Sequence, residues 1–182
     1  MEKVIFAVMG PSGGGKTTLI NEMLRRFPED LAPMKSLTTR PKRSAEDDLA
    51  YKFVTREEFI ALRDAGGLIQ CVEYDGNFYG DERGDIAAIF ASGRHGIRPM
   101  VADGIRNFRA AGFRVAVANV IPAGDGYKNR SAERQKIDAA RAKDPLLPDL
   151  DIENRFEPGG FERTCDSLAA FIRGYLAGLT GR

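Results

Sequence analysis

A glycine-rich segment near the start of the chain has the residue types of a phosphate-binding loop. Residues 10–17, GPSGGGKT, fit the pattern G-x-x-x-x-G-K-[ST]. Glycines let successive backbone N–H groups point at phosphate oxygens. The lysine can reach the β- and γ-phosphates, and the threonine hydroxyl can ligate Mg²⁺. We expect ATP with Mg²⁺ here, the metal on Thr17, and the nucleotide on Gly10, Ser12, Gly13, Gly14, Gly15, Lys16, Thr17 and Thr18.

The flanking residues supply the elements that this loop needs. Residues 4–9, VIFAVM, form an apolar run rich in β-branched residues, which is typical of a strand buried on both faces of a parallel sheet. After the loop, apolar residues recur at helical spacing from Leu19 to Phe27. Strand, loop and helix in this order predict a three-layer α/β domain of the P-loop NTPase fold, with a parallel sheet between helices.

Composition excludes several classes of protein. The 182 residues suffice for one compact domain, and the net charge of +1 argues against a partner such as duplex nucleic acid. No apolar run approaches the roughly 20 residues that span a membrane, and the N-terminus lacks the features of a signal peptide. Cys71 and Cys165 form no metal-binding pair, so we expect reduced thiols in a cytoplasmic protein. The oligomeric state does not follow from the sequence.

A second cluster of basic residues follows the predicted helix. Arg40, Lys42 and Arg43 stand among serines and threonines, with aromatic residues at Tyr51 and Phe53. Arginine can hold a phosphate with two parallel hydrogen bonds, which favours a second phosphate site. The alternative is a solvated basic loop, balanced by three acidic residues at positions 46–48. Thr55, with Glu58 three residues later, predicts a capping box at the start of a helix.

Three segments in sequence order carry a family resemblance. SLTTRPKR (36–43), YKFVTREEF (51–59) and GNFYG (76–80), placed after a P-loop, resemble the guanylate kinase family. The resemblance is dense up to about residue 103 and thinner beyond. It implies a nucleoside-monophosphate kinase that moves the ATP γ-phosphoryl group to GMP or dGMP. It also implies a single domain, with a core at 1–34, 95–122 and 145–182, an inserted acceptor-binding lobe at 35–94 and a lid at 123–144.

The resemblance also assigns roles to individual residues. Catalytic roles fall on Lys16, Arg40 and two lid arginines, Arg130 and Arg141. These lid residues have the family's separation, although the segment around them is shorter than in the family, and a solvated charged face is the alternative. Asn154 matches the asparagine beside the donor base. The acceptor phosphate falls to Arg40, Arg43, Tyr51 and Tyr79, and the acceptor base to Ser36.

Asp103 keeps one acid of the family's Asp-x-Asp pair. We expect it at a strand end, where it would orient Mg²⁺ waters or bind the acceptor, and a helix N-cap is the alternative. His95, the single histidine, is expected at the surface in a turn. Phosphoryl transfer does not require a histidine, because positioning and charge neutralisation carry most of the catalysis.

Two positions depart from the family where it reads the base. Gln70 stands in place of a glutamate that accepts from guanine N1–H, and Asp81 in place of a hydroxyl that meets O6. Both changes disfavour guanine and suit adenine or 2-aminoadenine, while Glu73 offers a substitute acceptor. GMP or dGMP remains the first expectation, because the resemblance to the family implies it. The alternatives are an adenine-like or modified purine monophosphate, another phosphorylated small molecule, or a binding module without turnover. A GTPase is disfavoured, because no Asn-Lys-x-Asp motif occurs.

Overall fold

The fold consists of two sheets and five helices in the part of the chain that the structure describes. The structure is a computed structural model, and it describes residues 2–43, 47–48, 50–124 and 146–180. The strands are β1 (Val4–Met9), β2 (Leu31–Pro33), β3 (Ser36–Thr38), β4 (Tyr51–Phe53), β5 (Leu68–Tyr74), β6 (Asn77–Glu82), β7 (His95–Pro99), β8 (Arg114–Ala123) and β9 (Leu150–Arg155). The helices are α1 (Lys16–Arg26), α2 (Arg56–Asp64), α3 (Arg83–Ala91), α4 (Ala102–Ala110) and α5 (Gly160–Thr180).

The larger sheet has five strands in the order β2-β7-β1-β8-β9, and all neighbours run parallel. Helices cover both of its faces. On one face, α1 and α5 pack against the β1 residues Val4, Phe6 and Val8. On the other face, α3 and α4 pack against Ile5 and Ala7. Alternate residues of β1 thus enter opposite cores, which explains its continuous apolar sequence and confirms the predicted three-layer architecture.

The smaller sheet has four strands in the order β4-β3-β6-β5. Strands β5 and β6 form a hairpin through Asp75 and Gly76, whose φ angles of 51° and 70° are both positive. An Asp-Gly pair with two positive φ angles is the preferred two-residue hairpin turn, because its twist matches that of the strands. The segment 67–81 is therefore a hairpin that places its aromatic residues on the sheet.

Helix α2 and the smaller sheet share a small core of their own. Thr55 accepts from the backbone N–H of Glu58, and the Glu58 carboxylate accepts from the backbone N–H of Thr55, so the predicted capping box is present. Phe59 of α2 stacks on Phe78 of β6, with ring centroids 5.3 Å apart. Both rings are buried, and Leu37 completes the cluster. This core fixes β6, which carries two of the predicted site residues.

Two features of the core differ from expectation. Helix α3 falls in the range predicted for the acceptor lobe, yet Ile86 packs into the core cluster under the larger sheet. His95 is buried rather than at the surface, because it begins β7 instead of lying in a turn. Its Nδ1 accepts from the backbone N–H of Val4, and its ring packs edge-on against Phe6. Burial lowers the pKa of the His95 imidazole.

Both cysteines are free thiols, with Cys71 exposed and Cys165 buried. Burial raises the pKa of the Cys165 thiol to about 11, so that it stays protonated and packs as an apolar side chain. Of the helices in the described ranges, none has the length and apolar character needed to cross a membrane.

Candidate active site

The P-loop joins the end of β1 to the start of α1, as the sequence predicts. Gly10, Gly13 and Gly15 have φ angles of 134°, 82° and 88°, a region that residues with side chains rarely adopt. A Cβ at Gly10 would lie 2.4 Å from the carbonyl oxygen of Val120, so the loop also needs glycine for space. The loop ends at the N-terminus of α1, where unpaired N–H groups and the helix dipole favour an anion.

Lys16 is curled over this loop. Its Nζ donates to the carbonyl oxygens of Gly10 and Pro11 at 2.8 and 2.6 Å. Thr17 and Thr18 follow on the first turn of α1, and both are exposed. An exposed hydroxyl beside a phosphate cradle is an oxygen donor that fits Mg²⁺, whose remaining ligands would be phosphate oxygens and water. The described residues contain no cluster of three His, Cys, Asp or Glu side chains that would bind a metal without a nucleotide.

Asn154 of β9 lies directly beneath the loop. It is 3% exposed, its Nδ2 donates to the carbonyl oxygen of Gly14 at 2.9 Å, and its Oδ1 accepts from the Thr164 hydroxyl. A Cβ at Gly15 would lie 2.5 Å from the Asn154 Nδ2. In this structure, then, Asn154 braces the loop from below. Its contact with the donor base stays a prediction.

Arg40, Tyr51 and Tyr79 come together on the smaller sheet. The Arg40 guanidinium lies over the Tyr51 ring, 4.9 Å from its centroid, and the two tyrosine rings are 6.1 Å apart. Arg40 is only 7% exposed. The Arg40 guanidinium donates two parallel hydrogen bonds to the carboxylate of Asp47. The same carboxylate also accepts from the backbone N–H of Arg43. Three of the four predicted phosphate-binding residues therefore lie together around the site of the Asp47 carboxylate. The fourth, Arg43, contributes its backbone N–H to the same carboxylate.

Ser36, Gln70 and Asp81 are also brought together, in a single hydrogen-bonded network. Asp81 is 2% exposed and accepts from the Ser36 hydroxyl at 3.0 Å and from the Gln70 Nε2 at 2.6 Å. Arg98 of β7 donates to both Asp81 and Ser36. Asn107 of α4 donates to the Gln70 Oε1 at 2.9 Å. We call these five residues the base-side network.

Two other predicted acceptor groups lie away from this network. Residues alternate between the faces of β5 from Gln70 to Tyr74, so Glu73 is on the opposite face from Gln70 and is exposed. Asp103 is not at a strand end, because β7 stops at Pro99 and α4 begins at Ala102. Nor is Asp103 the N-cap, which is Val101. Its side chain is 87% exposed and pairs with Arg106 on the same helix.

The predicted lid arginines, Arg130 and Arg141, lie outside the described residues. Their assignment remains a prediction.

Sequence reasoning missed four residues of the site. In the sequence, Asp47 is one of three acidic residues that balance the charge of a basic loop. An acid close to two arginines is nevertheless a signal for an ion pair. Arg98 could have been noticed as a charge within a short buried strand. Asn107 and Thr164 left no local signal, because their partners Gln70 and Asn154 are 37 and 10 residues away.

Comparisons with known proteins agree with this geometry. A family model described as guanylate kinase matches residues 2–144. A guanylate kinase of Chlamydia felis is 31% identical over 147 residues, which is 80% of this chain and 72% of the relative. A guanylate kinase of Nitratidesulfovibrio vulgaris is 33% identical over 183 residues, covering 96% of this chain and 88% of the relative.

A solved structure shares the fold. The crystal structure of guanylate kinase from Anaplasma phagocytophilum superposes with a TM-score of 0.64 at 23% identity, covering 96% of this chain and 86% of that one. The match of the family model over most of the chain decides the relationship. The chain belongs to the guanylate kinase family.

Proposed function

We propose that this protein is an ATP-dependent nucleoside-monophosphate kinase that phosphorylates GMP or dGMP to the diphosphate, with release of ADP. The observation that carries the proposal is the anion site at Arg40. Its guanidinium is nearly buried, stacked on Tyr51, and already holds a carboxylate with two parallel hydrogen bonds. A phosphate monoester offers the same arrangement of acceptor oxygens as a carboxylate, with more charge.

The donor side is supplied by the P-loop. Its inward N–H groups and the start of α1 would hold the ATP phosphates, and Lys16 would exchange its two carbonyl partners for phosphate oxygens. Asn154 and Thr164 keep the loop in place before ATP arrives, which reduces the ordering that binding requires. Mg²⁺ would be held by Thr17, and it supplies neutralisation of charge on the phosphates when bound.

The acceptor side would hold GMP at two points. Arg40, Arg43, Tyr51 and Tyr79 would bind its phosphate, and the base-side network would bind its purine. Fixing both ends of the acceptor aligns its phosphate oxygen with the donor, and such alignment accounts for much of the acceleration in phosphoryl transfer. Arg130 and Arg141 would close over the site, neutralise the transferring group and exclude water. We place the reaction in the cytoplasm.

The test is a coupled assay of ADP formation with ATP and a panel of acceptors: GMP, dGMP, IMP, AMP, dAMP, 2-aminoadenosine monophosphate, pyrimidine monophosphates and a phosphorylated sugar. Lys16→Ala, which removes the donor-side cation, is the control. Turnover with GMP or dGMP that is lost in Lys16→Ala supports the proposal. Turnover with another acceptor but not with GMP or dGMP would assign that acceptor as the substrate. Turnover no higher than that of Lys16→Ala with every acceptor would identify a binding module without kinase activity.

A further inference from the structure

The base-side network contains a cation that its family resemblance does not predict. Arg98 lies in β7 of the larger sheet, whereas Ser36 and Asp81 lie in the smaller sheet. Its Nη1 donates to the Asp81 carboxylate, its Nη2 to the Ser36 hydroxyl, and its Nε to the Pro99 carbonyl oxygen. The sequence suggests that Asp81 would repel an oxygen of the base. In the structure, its carboxylate is instead paired with Arg98.

The position of Arg98 places it at the ligand-binding edge of the fold. Arg98 is in register with Ala7 of β1, three residues before Gly10 of the P-loop. Both strands run parallel, so Arg98 and the P-loop lie at the same carboxyl edge of the larger sheet. Open parallel sheets bind their ligands in the crevice outside this edge. The side chain of Arg98 is 13% exposed, so the network is not sealed from that crevice.

The network has hydrogen-bond donors to spare at this point. A guanidinium carries five N–H groups, and the three contacts of Arg98 leave one N–H on Nη1 and one on Nη2 without a partner among the described residues. Both lone pairs of the Asp81 Oδ1 are used, by Ser36 and Arg98. The surface offered to a ligand by Arg98 therefore donates hydrogen bonds, although its partner Asp81 is an acid.

We propose, on the basis of the kinase function proposed above, that Arg98 is a specificity-determining residue that donates to the 6-oxo group of a purine monophosphate. Asp81 and Ser36 are its positioning residues. Gln70 contributes to base recognition as well. Its Oε1 accepts from Asn107 with one lone pair, and it has no second partner among the described residues, so the other lone pair can accept from the N1–H of a 6-oxopurine. A 6-aminopurine presents a donor to Arg98 and an acceptor to Gln70 Oε1, so it is rejected at both atoms.

This assignment reverses the base preference that Gln70 and Asp81 suggest in isolation. It predicts that GMP and IMP are accepted, since both carry O6 and N1–H. It predicts that AMP and 2-aminoadenosine monophosphate are rejected, since both carry a 6-amino group. The 2-amino group contributes little to this choice between 6-oxo and 6-amino acceptors. This distinguishes recognition by Arg98 from recognition that depends on a carboxylate at position 70.

Two double variants that differ by one hydroxyl test the assignment. Asp81→Thr/Arg98→Leu and Asp81→Val/Arg98→Leu both remove the buried ion pair as a unit, and threonine and valine have nearly the same shape. Arg94→Leu, immediately before β7, is the matched arginine control. Thermal melting confirms that each variant is folded. The readouts are kcat/KM and calorimetric binding for GMP, IMP, AMP and 2-aminoadenosine monophosphate.

The expected results concern the ratio of 6-oxo to 6-amino acceptors. The valine variant should lose about 10- to 100-fold of the GMP preference over AMP, because Arg98 no longer donates to O6. The threonine variant should retain most of it through its hydroxyl, and Arg94→Leu should match the wild type. Wild-type ratios in both double variants would overturn the assignment and leave Arg98 as a structural link between the sheets.

Failure of the kinase proposal gives a different pattern. If the wild type phosphorylates no nucleoside monophosphate, the calorimetric ratios still decide whether Arg98 selects the base. If it phosphorylates AMP in preference to GMP, the kinase chemistry stands and the role of Arg98 is overturned.

Discussion

Asp47 occupies the anion site of Arg40. Two parallel hydrogen bonds of 2.9 Å join the Arg40 Nη1 and Nη2 to the two Asp47 oxygens. The carboxylate raises the pKa of the Arg40 guanidinium further above its usual value. The same carboxylate caps the Arg43 backbone N–H, so it stands where the phosphate of GMP would bind. An acceptor that binds as proposed would displace Asp47 from Arg40.

Replacing Asp47 should therefore tighten acceptor binding. We expect Asp47→Asn to lower the KM for GMP by roughly two- to tenfold, since a partly exposed ion pair of about 1 kcal/mol no longer competes. The kcat should change little, because Asp47 has left the site when the phosphate is bound. Steady-state kinetics with varied GMP at saturating ATP measure both constants.

The neighbouring Asp48 provides the control, since it pairs with Lys42 and is exposed. Asp48→Asn should leave the KM for GMP unchanged. A rise in the KM for GMP in Asp47→Asn would show that Asp47 holds Arg40 in its binding position instead of blocking it.

Removing the brace under the P-loop should weaken ATP binding selectively. Asn154→Ala leaves the buried Gly14 carbonyl without its donor, at a cost of about 1–3 kcal/mol. We expect a lower free energy of unfolding and a KM for ATP raised by roughly fivefold to a hundredfold. The KM for GMP should change less. Asn21→Ala, on the exposed face of α1, is the control. An unchanged KM for ATP in Asn154→Ala would show that this hydrogen bond does not support nucleotide binding by the loop.

His95 should make the fold sensitive to acid. Burial, and the charge of Lys3, lower its pKa in the folded state below the value of about 6.5 in the unfolded chain. Below that pH the unfolded chain binds an additional proton, so stability present at neutral pH is lost as the pH falls. The slope approaches about 1.4 kcal/mol per pH unit until the folded-state pKa is reached.

His95→Asn removes this proton while keeping an acceptor near the Val4 N–H. Denaturant unfolding at pH values between 7 and 5 should give a shallower pH dependence for the variant than for the wild type. Equal slopes for the two proteins would mean that other groups cause the acid sensitivity.

The predicted lid arginines, Arg130 and Arg141, should act on the chemical step. A charge-assisted hydrogen bond contributes about 1.5–3 kcal/mol, so Arg130→Ala and Arg141→Ala should each lower kcat by roughly ten- to a hundredfold. Single-turnover kinetics with ATP and GMP separate this step from product release. Arg134→Ala, between them in the sequence, is the control for lost charge. An equal loss in all three variants would favour a general effect of charge over specific roles.

Features with local causes were predictable from the sequence. The P-loop needs glycines at fixed spacing, and the capping box needs Thr55 and Glu58 three residues apart. The residues of each motif therefore lie within one short segment of the sequence. The apolar residues of β1 predicted a strand buried on both faces for the same reason. The family patterns then placed Ser36, Gln70 and Asp81 in one site.

Features that depend on tertiary neighbours were not predictable in this way. The effect of Asp81 is changed by Arg98, which reaches it from another sheet. His95 follows a glycine-containing turn, and its burial depends on β7 lying next to β1. The position of Asp103 has a local cause instead: α4 begins at Ala102, so Asp103 lies within a helix and not at the expected strand end. For Asp81 and His95, the deciding partner is distant in sequence.

The hydrogen bond from Asn154 to Gly14 also bears on when this protein becomes competent during synthesis. A ribosome completes the P-loop sequence about 140 residues before it adds Asn154 and then Thr164. Until then, the nascent loop lacks its brace, and β9 cannot extend the sheet beside β8. We therefore expect nucleotide binding to develop late in synthesis, and a chain that ends before Asn154 has the complete P-loop sequence without the hydrogen bond that supports it.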